Sequence, residues 1–509
     1  MKKYLIIILS TFFAVLVSAQ VRDYPHAKDA EKSDTYFFKV AGCDITVEKF
    51  KDIDYAHIEL SKTAKVVVKI NEPINHFSIS PLNKKISGKT NGNELSFELP
   101  GAGYYAVSIN NKRNLFILAD APEKKEIKET DKNIVSVMDF VTDNEGKVLQ
   151  TVSLQTALDA ASGSGKILYF PAGIYKTGML TIRSNTHIYL AAGVLIKGSD
   201  NRNDYPSDDN KPESDHINNK ENYTDYGEWM TFSRLIFIDK AENVKIAGRG
   251  IIDGNGKTIR DQGKPANLIR IRNSKNIVIE GVLLRDPAAW NTHILYSSDV
   301  TIRDVKILND FNVPNTDGID PDASKNVLID HCFAYCNDDN IAIKTTNNGN
   351  YLQDIDNVKV KNCVFHTQKS ALKVGTETKG NYMQNIVFEN NDVLVSDRGI
   401  VFYCYDGATF RHIKYINNRF EKAFEKGQQR GIHISIKNRY GAGKIENILI
   451  KNNTFYTPFP KKSEISGLDN KHKVSNLKIK NLVIGGRKVK SLEEADIIVN
   501  EFVEDIVIK

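Results

Sequence analysis

Residues 313–346 read VPNTDGIDPDASKNVLIDHCFAYCNDDNIAIKTT. The phrase NVLI at Asn326 sets a polar residue before alternating apolar positions, the period of a half-buried strand. The same phrase recurs as NVKI at Asn243, NIVI at Asn276, DVTI at Asp299 and NVKV at Asn357. It continues as NIVF at Asn385, HIKY at His412, NILI at Asn447 and NLKI at Asn476. The intervals run from 23 to 35 residues and average about 29, a period that belongs to stacked supersecondary units. Short strands broken by Asn, Asp or Gly fill each unit, with no long helical pattern between them. An all-β fold follows, a parallel β-helix in which each coil buries its row of Val, Ile and Leu against the next. Unequal intervals imply loops of unequal length, which can wall a cleft.

Outward from the repeat, SLQTALDAAS (Ser153–Ser162) has the pattern of an amphipathic helix just before the strands begin at KILYFPAGIY. A helix there would cap the open first coil and protect its edge. From about residue 34 to 120, alternating strands and turns such as HIELSKTAKVVVKI predict a small β-sandwich. The polar run DAPEKKEIKETDKN reads as a linker. The expected organisation is therefore a leader over 1–19, a sandwich over 20–125, a linker over 126–133 and a β-helix over 134–509. The polar insertion beginning at Ser199 and ending in GEW (Gly227–Trp229) is too long for an ordinary connection.

The first residues, MKKYLIIILSTFFAVLVSAQ, have the basic start, apolar run and small-residue cleavage site of a secretory signal. The expectation is an exported protein, secreted or periplasmic, with no membrane anchor. Across 509 residues the formal charge is +6, or +4 without Lys2 and Lys3. Such near neutrality argues against a nucleic-acid partner. The five cysteines, Cys43, Cys332, Cys336, Cys363 and Cys404, are too sparse for a disulfide framework. Without a CxxC or a His/Cys cluster they do not suggest zinc. The sequence carries no signal for oligomeric state.

Aligning the coils on their buried residue places Ile319, Ile341, Leu372, Ile400 and Ile432 in one row. Two residues earlier stand Asp317, Asp339, Ser370, Arg398 and Arg430. Neighbouring strands lie roughly 4.8 Å apart, so Asp317 and Asp339 would stack on adjacent coils with Asp338 beside them. Three converging carboxylates repel, so one should hold a proton while another stays ionised. That division is what hydrolysis of a glycosidic bond requires. Two other readings fit the same acids. Asp and Asn at coil turns also satisfy backbone groups. Asp317, Asp320, Asp322, Asp338 and Asp339 could alternatively supply oxygen to calcium in a polysaccharide lyase with Arg398 or Arg430 as base.

At these residues the sequence resembles glycoside hydrolase family 28, the polygalacturonase family. The matching motifs are NTDG (Asn315–Gly318), the pair Asp338-Asp339 and IAIK (Ile341–Lys344). FPAGIY, GIIDGNG and DPAAWNTH (Asp286–His293) support it. The resemblance covers about residues 134 to 485 and implies a right-handed parallel β-helix (pectin-lyase-like) and hydrolysis with inversion; no cofactor and no metal are expected. It makes Asp338 the general acid, with Asp317 and Asp339 positioning and activating water. Asn315 and Lys344 fall in these motifs as substrate-binding positions.

The chain also departs from that family. Ser370 stands where the family's Gly-His-Gly places its His, and Val401 and Tyr403 stand where an Arg-Ile-Lys motif grips the uronate carboxylate. A bidentate clamp needs Arg geometry, so ordinary polygalacturonate is disfavoured. Lys373, Arg398, Arg430 or Lys437 could grip an anion instead. The related family 49, of dextranase and isopullulanase, shares the β-helix, the clustered aspartates and an N-terminal sandwich, and acts on neutral glucans. Trp290, Tyr403 and Tyr405, with Trp229 in the long loop, could stack on sugar faces, and Glu377 and Asp406 add polar groups. The expected protein is a hydrolase of α-linked polysaccharide or oligosaccharide. A dextranase-like enzyme, a lyase and a non-catalytic glycan-binding β-helix remain as alternatives.

Overall fold

The computed structural model describes residues 21–206, 233–263, 266–346 and 353–509. The expected leader, most of the polar insertion and Trp229 lie outside the described residues.

All nine residues that open the repeated phrase, from Asn243 to Asn476, have a left-handed backbone, with φ between 50° and 60°. Asn, Asp and His enter that region more readily than other residues bearing a Cβ, which accounts for Asp299 and His412 among the asparagines. Their side chains also join successive coils. Asn276 Nδ2 donates to Asn243 Oδ1 at 2.8 Å, Asn326 Nδ2 to Asp299 Oδ1 at 2.9 Å and Asn357 Nδ2 to Asn326 Oδ1 at 2.9 Å. The repeat is thus a turn signal and a ladder at once.

After each such turn the chain runs through one strand in each of three long sheets, of 13, 12 and 11 strands. Nearly every pairing is parallel; the last pair of the 12-stranded sheet, Val483–Ile484 with Arg487–Lys488, is antiparallel. Ile277, Val300, Val327, Val358 and Ile386 share one register position and are completely buried. The interior is therefore a stack of apolar rows. The helix Thr151–Ala161 turns Leu154, Ala157, Leu158 and Ala161 onto the first coil, as a cap over the open end.

A second ladder runs inside. Asn391, Asn418 and Asn453 are completely buried. Asn391 Nδ2 donates to Asn418 Oδ1 at 2.9 Å and Asn418 Nδ2 to Asn453 Oδ1 at 3.0 Å. On earlier coils the ladder continues through thiols, Asn391 Oδ1 accepting from Cys363 N and Cys363 Sγ from Cys332 N. These cysteines are buried and unoxidised; Cys43 is free and exposed.

Before the β-helix, strands between Val21 and Asp120 form a six-stranded and a five-stranded sheet that enclose Ile58, Val66, Val68, Leu95, Val107 and Ile117. This sandwich lies against the outer side of the 12-stranded sheet. Tyr104, Phe116 and Leu118 pack there with Leu283, Phe333 and Tyr335. Asp120 accepts from Lys306 Nζ at 2.9 Å and bonds His57 Nε2 at 2.8 Å in the same buried seam. Among the described residues no helix is long and apolar enough to cross a membrane.

Candidate active site

Five consecutive strands of the 11-stranded sheet build the site: Ile319–Asp322, Ile341–Thr345, Ser370–Thr378, Arg398–Asp406 and Arg430–Gly441. Their register pairs Ile319 with Ile341, then Leu372, Ile400 and Ile432. Two residues earlier, Ser370, Arg398 and Arg430 pair in turn. Gly318 N donates to Asp339 O at 2.9 Å, tying the Asp317 coil to the next. Gly318 follows Asp317 for a steric reason: a Cβ there would lie 2.4 Å from the Asn340 carbonyl oxygen. Glycine lets the two acid-bearing coils close together.

Asp317, Asp338 and Asp339 each present a carboxylate oxygen within 4.8 Å of the others. Each has a different setting. Asp339 is buried; burial opposes its charge, but the Lys373 ammonium at 2.6 Å, Arg398 nearby and the Ser370 N–H at 2.8 Å hold it ionised, down to about 2. Asp317 is buried and pushed up to about 7 by desolvation; Lys344 Nζ at 3.0 Å opposes the shift, and the two neighbouring aspartates reinforce it. Asp338 is partly exposed. Desolvation and then Asp339 raise it, and its one hydrogen bond is from the Asp339 N–H, at 2.9 Å. One carboxyl is thus kept charged by cations while the most accessible one is biased toward its protonated form.

Three oxygens at this spacing could hold a cation. Lys344 and Lys373 already stand at 3.0 and 2.6 Å as counter-charges. The five-acid calcium cage considered from the sequence does not form. Asp322 bonds His293 Nε2 at 2.9 Å and Thr346 Oγ1 at 2.7 Å. Asp320 is completely buried, its oxygens accept no hydrogen bond, and desolvation pushes it well above the carboxylate range.

The remaining expected residues divide into two groups. Lys344, Lys373, Ser370 and Arg398 meet the acids. Lys373 is buried and Arg398 half-buried rather than solvated coil residues: Asp339 draws Lys373 inward at 2.6 Å, and Arg398 lies between Asp397 at 3.3 Å and Asp339 at 4.0 Å. Ser370 Oγ is buried without a partner. Arg398 donates to Tyr403 Oη at 3.2 Å, and its Nε stands 3.3 Å from Asp397 Oδ2. Tyr403 Oη also bonds His433 Nδ1 at 2.8 Å, and its ring stacks on Tyr405 at 5.1 Å. Val401, at the clamp position, shares a row with Lys373 and His433.

The others are placed differently. Arg430 turns to Glu464 at 3.2 Å and the Lys462 carbonyl at 2.5 Å, so it leaves the acids despite its register with Arg398. Trp290 is buried, with the Lys344 ammonium 3.5 Å from its ring centroid. It braces that lysine by a cation–π contact instead of offering an open stacking face. Asp406 is committed to Arg439, with bonds of 2.7 and 2.6 Å. Glu377 lies near the same guanidinium, at 3.9 Å. Asn315 has φ 59°, and its Oδ1 accepts from Arg260 Nη2 at 3.3 Å. The Lys437 ammonium sits 4.9 Å from the Tyr405 ring centroid.

His293, His433 and Arg439 were not expected from the sequence. His293 lay inside the quoted DPAAWNTH. Arg439 had no signal, since the register shift between Cys404 and Asp406 carries its strand to Asp406.

Comparison with known proteins bears on the fold and the family. A relative from Vitis vinifera named probable polygalacturonase is 30% identical over 227 residues, 41% of this chain and 44% of that protein. The chain thus spans about half the length of the curated relatives it matches. The exopolygalacturonase structure from Thermotoga maritima has a TM-score of 0.57 at 20% identity, covering 74% of this chain and 92% of that one. Dex49A from Penicillium minioluteum has a TM-score of 0.60 at 14% identity, covering 96% of each. At these identities the structures show a shared fold. The family model for glycosyl hydrolases family 28 matches residues 214–490, more than half of the sequence and the whole acid-bearing region, and the chain belongs to that family.

Proposed function

We propose that the protein is an exported, polygalacturonase-like glycoside hydrolase that cleaves α-glycosidic bonds of an acidic polysaccharide or oligosaccharide with inversion. Asp338 acts as general acid, and Asp317 and Asp339 position and activate the water. The observation that carries this reading is the convergence of three carboxylates within 4.8 Å in opposed settings, one held ionised by Lys373 and one accessible and raised. A glycosidic oxygen over Asp338 would receive its proton, while the paired acids draw a proton from water. The reading of export rests on the leader-like first nineteen residues.

Relatives named polygalacturonase make a uronate polymer the first substrate to consider. The usual clamp is replaced by Val401 and Tyr403, and positive charge comes from Arg398 on the same strand and Lys373 on the neighbouring coil. The Arg398 guanidinium stands beside the acids, and a carboxylate is the partner that fits a guanidinium bidentately. The same replacement favours the second reading, a neutral glucan.

A panel of galacturonan, rhamnogalacturonan, sulfated galactan, dextran and pullulan separates the readings. The expected result is new reducing ends from an acidic polymer without ultraviolet absorbance. In Asp338→Asn turnover should fall on the order of a hundredfold or more, the usual loss on removing a general acid, with the fold retained. Unsaturated, ultraviolet-absorbing products would make it a lyase. Release from dextran or pullulan alone would assign a neutral substrate.

A further inference from the structure

From the same reading of the acids, we infer that the N-terminal sandwich is a working part of the active site: its Lys51-Asp52 turn positions the two segments that carry the catalytic aspartates. The turn joins the antiparallel strands Glu48–Phe50 and Ile53–Leu60 and points at the β-helix. Lys51 Nζ stands 3.0 Å from Asp286 Oδ2 and 3.6 Å from Asp310 Oδ2, both buried. Tyr335 Oη donates to Asp52 Oδ2 at 2.5 Å.

The contacts at Asp310 and Tyr335 each lead to a catalytic acid. Asp310 opens the loop that ends at Asp317. That loop is closed on itself by Val313 N donating to Asp310 O at 3.1 Å, and Asn309 Nδ2 holds its far end through the Thr316 carbonyl at 2.8 Å. Tyr335, gripped by Asp52, stacks face to face on Phe311 of the same loop at 3.9 Å, with 5° between the rings. The Phe311 carbonyl in turn accepts from Asn337 Nδ2, the residue before Asp338, and from Gln368 Nε2 at 3.2 Å. The turn therefore grips the Asp317 loop and the strand leading to Asp338 from one side. Neither Lys51 nor Asp52 belongs to the acid cluster, so both are positioning residues.

The test compares the full-length protein with Lys51→Ala/Asp52→Asn, Tyr335→Phe and Lys51→Arg, on a polymer the native protein cleaves. Misplacement of catalytic groups by a fraction of an ångström lowers turnover more than binding, so kcat in the double variant should fall about tenfold with KM within about twofold. Its pH–rate profile should shift, because the separation of Asp317 and Asp338 sets their mutual repulsion. Tyr335→Phe removes one hydroxyl and keeps the stack, so it should fold and show a smaller loss of the same kind. Lys51→Arg should restore activity. If the double variant and Tyr335→Phe keep the native kcat, KM and pH profile, the inference is overturned. It is equally overturned if all three variants lose activity only in proportion to the fraction unfolded. A native protein that cleaves none of the polymers instead overturns the hydrolase reading on which the inference rests.

Discussion

At the residue scale, the site is decided by which cation stands beside which acid. Asp317 and Asp339 are both buried, yet Asp339 sits at about 2 and Asp317 at about 7. Asp339 has Lys373, Arg398 and a backbone N–H; Asp317 has Lys344 against two neighbouring aspartates. Removing a positive charge stabilises the neutral form of a nearby carboxyl and raises its pKa. If Asp317 must be ionised to activate water, Lys344→Met should move the acidic limb of kcat/KM to higher pH. A pH–rate profile of that variant, on the polymer the native protein cleaves, checks the sign. The trio was legible in the sequence because coil register converts spacing into proximity. The partners of Arg398 and Arg430 were not. These residues share a register position, but Asp339 attracts one and Glu464 the other, and side-chain choice of that kind depends on three-dimensional neighbours.

At the element scale, the coil is held by two kinds of asparagine. The repeat was visible from the sequence because a left-handed residue lies near the start of every strand of the 13-stranded sheet from Glu242–Gly248 to Val474–Lys480. The interior ladder of Asn391, Asn418 and Asn453 was less legible, since each follows an asparagine of the outer turn and looks like more of the same. Burial distinguishes them. Asn418 Oδ1 accepts from Asn391 N at 3.1 Å and from Asn391 Nδ2 at 2.9 Å. Asn418→Ala should destabilise the protein by at least about 2 kcal/mol, because each buried group left unpaired costs about 1–3 kcal/mol. Urea denaturation compared with Asn390→Ala, whose exposed side chain donates to Asn362 Oδ1 at 2.8 Å, measures the difference; the outer substitution should cost much less.

At the scale of the whole molecule, a sandwich and a β-helix share a buried polar seam. Each was legible as a set of strands, because period-two patterning and turn residues are local. Their docking was not, since Lys51, Asp52 and Asp120 are ordinary surface residue types until Asp310, Tyr335 and Lys306 meet them. The reaction that this assembly supports also turns on geometry beyond any single coil. Inverting glycosidases usually hold their carboxyl groups about 6.5–9.5 Å apart and retaining ones about 5–5.5 Å. The closest oxygens here lie within 4.8 Å. Separation alone would favour retention; membership of family 28 and the pairing of Asp317 with Asp339 as a water-activating couple favour inversion. Proton NMR of the first sugar released from an α-linked substrate, read before mutarotation, decides between them. The account predicts the β-anomer. An α-anomer would contradict it, making one of the aspartates a covalent nucleophile instead of a base for water.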